Sequence, residues 1–219
     1  MIGAYPGSFN PPTLAHLAIA RAARDRFGLA RVDLVLSRRA LGKEHVERPL
    51  LRHRVELLEA LRRRLPWLGV RVTEAQLVAD IAAGYDVLVL GADKWHQVLD
   101  PAFYGGSLDE RDRAVAGLPR LAIAPRPPLE VPPEHLLDVP PQFGSMSSTR
   151  ARAGAVELMV PEAVDFDRRT GAWTDPARYE AWLADTGDDE AGSGGGPGRR
   201  AGPGADGGGA AGGVSPPRV

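Results

Sequence analysis

Short apolar runs alternate along the chain with longer segments in which apolar residues recur at helical spacing. Short, mostly apolar runs are typical of buried strands, and they predict strands at residues 1–5, 32–36, 70–72, 86–90, 121–124 and 136–139. The helical spacing predicts helices at residues 14–27, 51–65, within 73–83, 149–158 and 175–183. This alternation of strands and helices favours an α/β fold with a parallel sheet and right-handed crossovers.

The composition changes near the end of the printed sequence. Of the 26 glycines in the 219 residues, 13 follow Thr186, mixed mainly with proline, alanine and serine. Such a segment has too little apolar surface to form a packed core. We therefore predict one domain over residues 1–185 and a disordered Gly/Pro-rich tail over residues 186–219.

The charge balance and the lack of cysteine narrow the class of protein. The formal net charge is −1, so no overall basic field attracts nucleic acid or an anionic membrane. The absence of cysteine excludes disulfides and thiolate metal sites, and no stretch approaches the ~18 apolar residues of a membrane span. We expect a cytoplasmic protein without a nucleic-acid or membrane partner. The sequence leaves the oligomeric state open, including a homo-oligomer.

Residues 7–16 read GSFNPPTLAH and lie between the first predicted strand and the first predicted helix. Gly7 permits a tight turn, and Ser8, Asn10 and Thr13 supply short polar side chains. His16 falls in the first turn of the helix, where unpaired N–H groups and the helix dipole attract anions. The segment predicts a phosphate-binding turn; the alternative is an ordinary strand-to-helix turn capped by Thr13.

A second polar segment, residues 145–152, reads SMSSTRAR. By itself it is typical of a helix N-cap followed by solvated arginines. Its hydroxyl and guanidinium groups are also suited to phosphate oxygens. Because parallel strands present their carboxyl ends to one crevice, we expect both segments to face the same triphosphate.

Together the two segments resemble the signatures of the nucleotidyltransferase superfamily, G-x-F-x-P-x-[HT]-x-G-H and I-S-S-T-x-x-R. Thr13 stands at the position that accepts histidine or threonine, and Ala15 replaces the usual glycine. The resemblance implies a Rossmann-like fold of the nucleotidyltransferase α/β phosphodiesterase type. It also implies that Thr13 and His16 hold the α-phosphate. The ATP-binding residues that it implies are Gly7, Ser8, Phe9, Thr13, His16, Ser147, Ser148, Thr149 and Arg152.

The middle of the chain resembles the nicotinate or nicotinamide mononucleotide adenylyltransferases of this superfamily. Lys43 follows the second predicted strand, Arg54 lies in the next helix, and residues 91–95 read GADKW. The resemblance assigns Lys43, Arg54, Asp93 and Trp95 to the acceptor, and counts His16, Thr13, Lys43 and Arg152 as catalytic. An exposed Trp95 would stack on a pyridine or adenine ring, whereas a buried one would belong to the core.

The resemblance therefore implies transfer of AMP from ATP to a phosphate-bearing acceptor, with release of pyrophosphate. Nicotinate or nicotinamide mononucleotide is the first expectation for the acceptor. The alternatives are a phosphopantetheine adenylyltransferase, another nucleotidyltransferase such as a cytidylyltransferase, and a catalytically silent nucleotide-binding protein. Mg²⁺ is expected as the cofactor, bound mainly through the ATP phosphates. No protein metal site is expected, since His45, His53, His96 and His135 lack metal-ligand spacing.

Deletion of residues 187–219 tests the predicted domain boundary. We expect the shortened protein to keep its melting temperature and its nucleotidyl-transfer rate, because the deleted segment contributes no packed core. Thermal unfolding and pyrophosphate release, measured beside the full chain, check this expectation. A large loss of either would place part of the folded domain beyond residue 186.

Overall fold

The structure is a computed structural model that describes residues 1–38 and 48–187. Lys43 and His45 lie outside the described residues, as do residues 188–219 of the predicted tail. None of the helices in the described ranges combines the length and the apolar character that crossing a membrane requires.

A five-stranded parallel sheet forms the centre of the described domain, in the order β3-β2-β1-β4-β5. The strands are β1 (Ile2–Pro6), β2 (Arg31–Ser37), β3 (Leu68–Thr73), β4 (Val87–Gly91) and β5 (Arg120–Ala124). Four consecutive residues of β4 are fully buried, which is typical of a parallel strand covered on both faces. The predicted Rossmann-like parallel α/β fold is confirmed.

Helices cover the sheet and follow most strands along the chain. They are α1 (Leu14–Phe27), α2 (Leu51–Arg64), α3 (Val78–Ala82), α4 (Ala92–Leu99), α5 (Leu108–Ala116), α6 (Ser148–Arg152), α7 (Pro161–Thr170) and α8 (Pro176–Thr186). Gly28 ends α1 in the left-handed conformation, with φ 59°, which is typical of a glycine that follows a helix.

Two predicted elements are wrong. Residues 136–139 form no strand: Leu136 makes a single bridge to Ile123, and the Leu137 N–H donates to the Ile123 carbonyl at 2.8 Å. Prolines on both sides of this segment lack the N–H groups that would extend the pairing. The helix predicted for residues 149–158 ends at Arg152, because Gly154 turns the chain with φ 108°.

A cluster of aromatic side chains joins the last two helices to α2. Tyr179 is 1% exposed, and its hydroxyl lies 2.6 Å from His53 Nδ1. Phe166, Trp173 and Trp182 pack around this pair. These aromatic side chains pack the C-terminal helix against the domain, and His53 is part of the same core.

The strand order reverses between β1 and β4. From β1 the chain goes to β2 and β3 on one side, and then crosses back to β4 on the other side of β1. In a parallel sheet such a reversal opens a crevice at the carboxyl ends of the two strands. The polar segments that follow β1 and β4 therefore lie at the edge where ligands of this architecture bind.

Gly69 tests the packing of β2 against β3. Its partner in the register is Asp33, which is 1% exposed and accepts hydrogen bonds from Arg31 Nε at 2.6 Å and from the Tyr85 hydroxyl at 3.0 Å. A Cβ atom on Gly69 would lie 1.9 Å from Asp33 Oδ1. We expect Gly69→Ala to lower the free energy of unfolding by about 2 kcal/mol or more, since the buried carboxylate must leave its partners.

Urea unfolding measures this loss, and Gly117→Ala is the matched control. Gly117 has φ −85°, and an added Cβ would meet its nearest neighbour at an ordinary 3.5 Å. The control should stay within about 0.5 kcal/mol of the parent protein. Equal stability of the two variants would contradict the packing described for Asp33.

Candidate active site

Thr13 and His16 form a capping box at the start of α1. The Thr13 N–H donates to His16 Nδ1 at 2.9 Å, and Thr13 Oγ1 accepts from the His16 N–H at 3.4 Å. This network assigns Nδ1 as an acceptor, so the neutral imidazole carries its proton on Nε2. The cap thereby fixes both the orientation and the tautomer of His16.

The Phe9 side chain is buried under the turn and packs against Tyr5 and His16. It adopts a left-handed backbone with φ 44°, and its ring is 1% exposed. The ring meets Tyr5 and His16 edge-on, with centroid distances of 5.6 and 5.2 Å. Such a backbone costs on the order of 1–3 kcal/mol for a bulky residue, which the buried ring contacts offset. Phe9 is therefore a packing residue of the turn and does not line the cavity described below.

Arg54 holds the same turn from α2. Its side chain is 7% exposed and donates to the Ser8 carbonyl at 3.0 Å and to the Pro49 carbonyl at 3.2 Å. Burial lowers the pKa of the Arg54 guanidinium, and Tyr179 opposes this shift. The structure thus places Arg54 under the turn at residues 7–16, and not on the cavity wall where an acceptor was expected to bind.

Asn10 connects the turn to the C-terminal helices. It is 8% exposed, and its Oδ1 accepts from Trp173 Nε1 at 2.6 Å. Asp167 in turn accepts from the Trp173 N–H at 2.7 Å. This contact does not follow from the sequence, because Trp173 lies 163 residues away from Asn10.

The second polar segment begins α6. Ser147 is its N-cap, and the Ser147 hydroxyl accepts from the Arg150 N–H at 3.2 Å. The Arg150 side chain bonds elsewhere: its Nη1 donates to the Ser145 carbonyl at 2.8 Å. The predicted helix cap is confirmed, and α6 presents its hydroxyl-rich start to the turn at residues 7–16.

Two hydrogen bonds join α6 to that turn. The Ser148 hydroxyl donates to the Pro11 carbonyl at 2.8 Å, across 137 residues of sequence. Arg152 Nη1 donates to the Asn10 carbonyl, and Arg152 Nη2 donates to Thr149 Oγ1 at 3.3 Å. The two segments that the sequence predicted to act together are therefore in direct contact.

A cavity of about 280 Å³ opens between these segments and the β4–α4 turn. The predicted site residues on its wall are Gly7, Ser8, Thr13, His16, Asp93, Ser147, Ser148, Thr149 and Arg152. Phe9, Arg54 and Trp95 are not part of the wall. The binding roles of the residues on the wall stay predictions.

At the start of α4, directly after β4, Asp93 lies on the cavity wall and Trp95 does not. Asp93 folds back over Gly91, where a Cβ atom would lie 2.6 Å from Asp93 Oδ1. Trp95 is 6% exposed and packs in the core beside β4. The expectation of an exposed, stacking Trp95 is therefore corrected: Trp95 lies two positions after Asp93 on α4, about 200° around the helix axis, and its side chain packs towards the sheet.

Tyr5 lies at the junction of β1 and the cavity. Burial raises the pKa of its hydroxyl above the ordinary value, the Asp93 carboxylate adds to this shift, and Arg126 opposes it. The Tyr5 hydroxyl therefore stays neutral. Asp93 and Arg126, whose charges act on it, line the same cavity.

Sequence reasoning missed several residues of the wall. Arg126 follows β5, Gln97 and Lys94 lie on α4, and Phe103 and Tyr104 belong to a 3₁₀ turn at Pro101–Tyr104. Arginine, glutamine and tyrosine carry no distinguishing motif at these positions. Only the LDPAFY segment after α4, with its two adjacent aromatic residues, offered a signal.

Within residues 1–38 and 48–187, no three His, Cys, Asp or Glu residues cluster as metal ligands. Asp93 is the carboxylate that this part of the chain contributes to the cavity wall. The described wall therefore has one carboxylate beside the cationic side chains of Lys94, Arg126 and Arg152.

The parallel α/β sheet, with residues 7–16 and 145–152 in contact at its switch point, has the architecture of a nucleotidyltransferase. Residues 4–153 match the cytidylyltransferase-like family, and the chain belongs to this family because the match covers more than half of it.

Individual relatives are more distant. The probable nicotinate-nucleotide adenylyltransferase of Salinibacter ruber (strain DSM 13855 / M31) is 38% identical over 58 residues, which are 26% of this chain and 30% of that relative. This match thus spans less than a third of the relative's length. Nicotinic acid mononucleotide adenylyltransferase from Plasmodium falciparum covers 78% of this chain and 96% of its own at 15% identity. The TM-score is 0.57 for its complex with APC and 0.59 for its complex with NaAD. At this identity the likeness is one of fold.

Ser148→Ala tests the joint between α6 and the turn. The substitution leaves the Pro11 carbonyl without its donor, and we expect the free energy of unfolding to fall by roughly 1–3 kcal/mol. ATP affinity should fall as well, because the two segments lose their fixed spacing.

Urea unfolding and calorimetric ATP binding check both effects. Ser145→Ala is the matched control, since Ser145 is exposed and precedes the cap of the same helix. If both variants behaved like the parent protein, the Ser148 hydrogen bond would not hold the site together.

Proposed function

We propose that the protein transfers AMP from ATP to a pyridine mononucleotide, with nicotinate mononucleotide as the first expectation, and releases pyrophosphate. The observation that carries this proposal is the meeting of the residue 7–16 turn, the start of α6 and the β4–α4 turn around one cavity. The curated relative, itself named a probable nicotinate-nucleotide adenylyltransferase, supports the choice of acceptor.

The chemistry asks the protein for positioning and charge neutralisation. A phosphate oxygen of the acceptor forms a bond to the α-phosphorus of ATP, and the bond from that phosphorus to the oxygen of the leaving pyrophosphate breaks. The attacking oxygen already carries negative charge, so no covalent intermediate on the protein is needed.

The phosphate half of the cavity has the donors that this reaction uses. The first turn of α1 and the protonated Nε2 of His16 would face the α-phosphate. Ser147, Thr149 and Arg152 would hold the β- and γ-phosphates. A guanidinium has five N–H donors, so Arg152 keeps its contacts with Asn10 and Thr149 while it donates to phosphate.

The wall also fits Mg²⁺ that arrives with ATP. A hard cation of this kind binds mostly phosphate oxygens and water, and needs few protein ligands. Asp93 is the side chain that would hold one of its water ligands. When bound, Mg²⁺ would neutralise charge on the leaving pyrophosphate.

The cavity wall also has groups that suit a planar aromatic acceptor. Leu77, Val78 and Phe103 give it apolar and aromatic surface, and Lys94 adds a positive charge. An aromatic side chain stacks favourably on a pyridine ring. Phe103 thus takes the stacking role that sequence reasoning gave to Trp95. Lys43, which is outside the described residues, remains our proposal for the group that binds the acceptor phosphate.

The direct test is pyrophosphate release with ATP and Mg²⁺. Nicotinate mononucleotide, nicotinamide mononucleotide and phosphopantetheine are offered separately, and CTP replaces ATP in a parallel series. Release that requires ATP and a pyridine mononucleotide supports the proposal. Release only with phosphopantetheine, or only with CTP, would assign a different nucleotidyltransferase activity to the same site.

His16→Ala tests the phosphate half. Loss of a preorganised donor at the transition state typically costs on the order of 10²–10³ in kcat, and we expect that loss here. The far-ultraviolet circular dichroism spectrum should be retained, because His16 is half-buried at a helix end.

His96→Ala is the control for this substitution. His96 is an exposed histidine of α4 that is not part of the cavity wall. We expect its turnover to match that of the parent protein. Unchanged turnover in His16→Ala would exclude His16 from the reaction.

A further inference from the structure

Lys94 is one of the few lysines of this chain, and it lies on the cavity wall. The sequence has 25 arginines but only two lysines, Lys43 and Lys94. Lys94 is half-buried on the first turn of α4 and lines the cavity. Its Nζ donates to Gln97 Oε1 at 2.7 Å, one turn further along the same helix. This contact holds the ammonium group against the wall.

The cavity is more positive than the chain as a whole. In the described part of the chain, Lys94, Arg126 and Arg152 line it against the single carboxylate of Asp93, whereas the formal net charge of the chain is −1. A local excess of positive charge indicates ligands with several negative groups.

Lys94 and Arg152 belong to different parts of the wall. Arg152 lies on α6 and is bonded to the phosphate turn through Asn10. Lys94 lies on α4, which packs against the 3₁₀ turn that carries Phe103. With the triphosphate on the α6 side, as the proposed function has it, Lys94 lies on a different element of the wall, where it can pair with a negative group of the second substrate.

Apolar side chains line the cavity together with Lys94. They are Leu77, Val78, Val98 and Phe103, and Val98 lies one turn after Lys94 on α4. Because apolar surroundings exclude water, an ion pair formed there is stronger than one formed in solvent. An aromatic and apolar surface beside one cation fits a flat ring that bears an anionic substituent.

We propose that Lys94 binds the ring carboxylate of the acceptor, and that it makes this site select the acid, nicotinate mononucleotide, over the amide, nicotinamide mononucleotide. The inference rests on the proposed function. The two acceptors have the same ring, ribose and phosphate. They differ only in the ring substituent, which is a carboxylate in the acid and a carboxamide in the amide. An ammonium group has three donors and no acceptor. It pairs with the charge of the carboxylate, but cannot accept from the amide NH₂.

Lys94→Met tests the proposal, since it removes the charge and keeps an unbranched apolar side chain. We expect kcat/KM for the acid to fall on the order of 10- to 100-fold, through KM, as for loss of a hydrogen bond to a charged group. The value for the amide should change less than about threefold, because the amide loses no charge pair. Lys94→Arg keeps the charge and should restore most of the preference for the acid.

Arg113→Met is the matched control. It removes the same charge from an exposed position on α5, away from the cavity wall. Its kcat/KM values for both acceptors should equal those of the parent protein. Circular dichroism and thermal unfolding of each variant establish that the fold is kept.

The possible outcomes separate this inference from the proposed function. An equal loss with both acceptors would assign Lys94 to their common phosphate and overturn the inference. An unchanged ratio in Lys94→Met, or a parent protein that prefers the amide, would overturn it too, with adenylyl transfer still established. A parent protein that uses neither pyridine mononucleotide would refute the proposed function itself, and the inference with it.

Discussion

The turn at residues 7–12 has no regular secondary structure, so its backbone carbonyls must find partners elsewhere. They find them in residues that are distant along the chain. Carbonyls of the turn and their donors are Ser8 with Arg54, Asn10 with Arg152, Pro11 with Ser148, and Pro12 with the Val160 N–H. The geometry of the turn is thus set by α2, α6 and the start of α7, which pack against the sheet. Stability and site geometry are coupled, because a donor lost from these helices leaves a buried carbonyl unsatisfied.

This dependence explains how far the sequence predicted the structure. The two polar segments were recognisable because their features are local: Gly7 in a turn, Thr13 and Ser147 at helix starts. The apolar pattern was enough for the five strands of the sheet and for α1, α2 and α8, since these elements follow simple periodicity. Arg54 carries the same guanidinium whether it binds a substrate or a backbone carbonyl. Only its burial under the turn shows which of the two it does in this fold.

The remaining differences between the predicted and the observed structure lie where tertiary packing, and not residue type, determines the conformation or the direction of a side chain. Residues 136–139 have the apolar character of a strand, yet the neighbouring prolines limit their pairing to one bridge with Ile123. Trp95 points to the sheet and Lys94 to the cavity, although they are adjacent in one motif, because successive positions on a helix face about 100° apart. Phe103 reaches the wall through the packing of its 3₁₀ turn on α4. None of these placements follows from residue type alone.

The family signature has glycine at two positions, and this chain keeps Gly7 but has Ala15 at the second. Gly7 is required by the turn itself, because a Cβ atom there would lie 3.0 Å from the Phe9 ring. Position 15 lies within α1, where the residue usually found is also glycine, but Phe9 is the non-glycine residue with positive φ in the described part of the chain. The Ala15 backbone is therefore unstrained, and its side chain is 6% exposed on the cavity wall. The extra methyl group leaves the turn intact and narrows the space beside the first turn of α1. Ala15 therefore changes the shape of the cavity, and not the architecture that holds Thr13 and His16 in place.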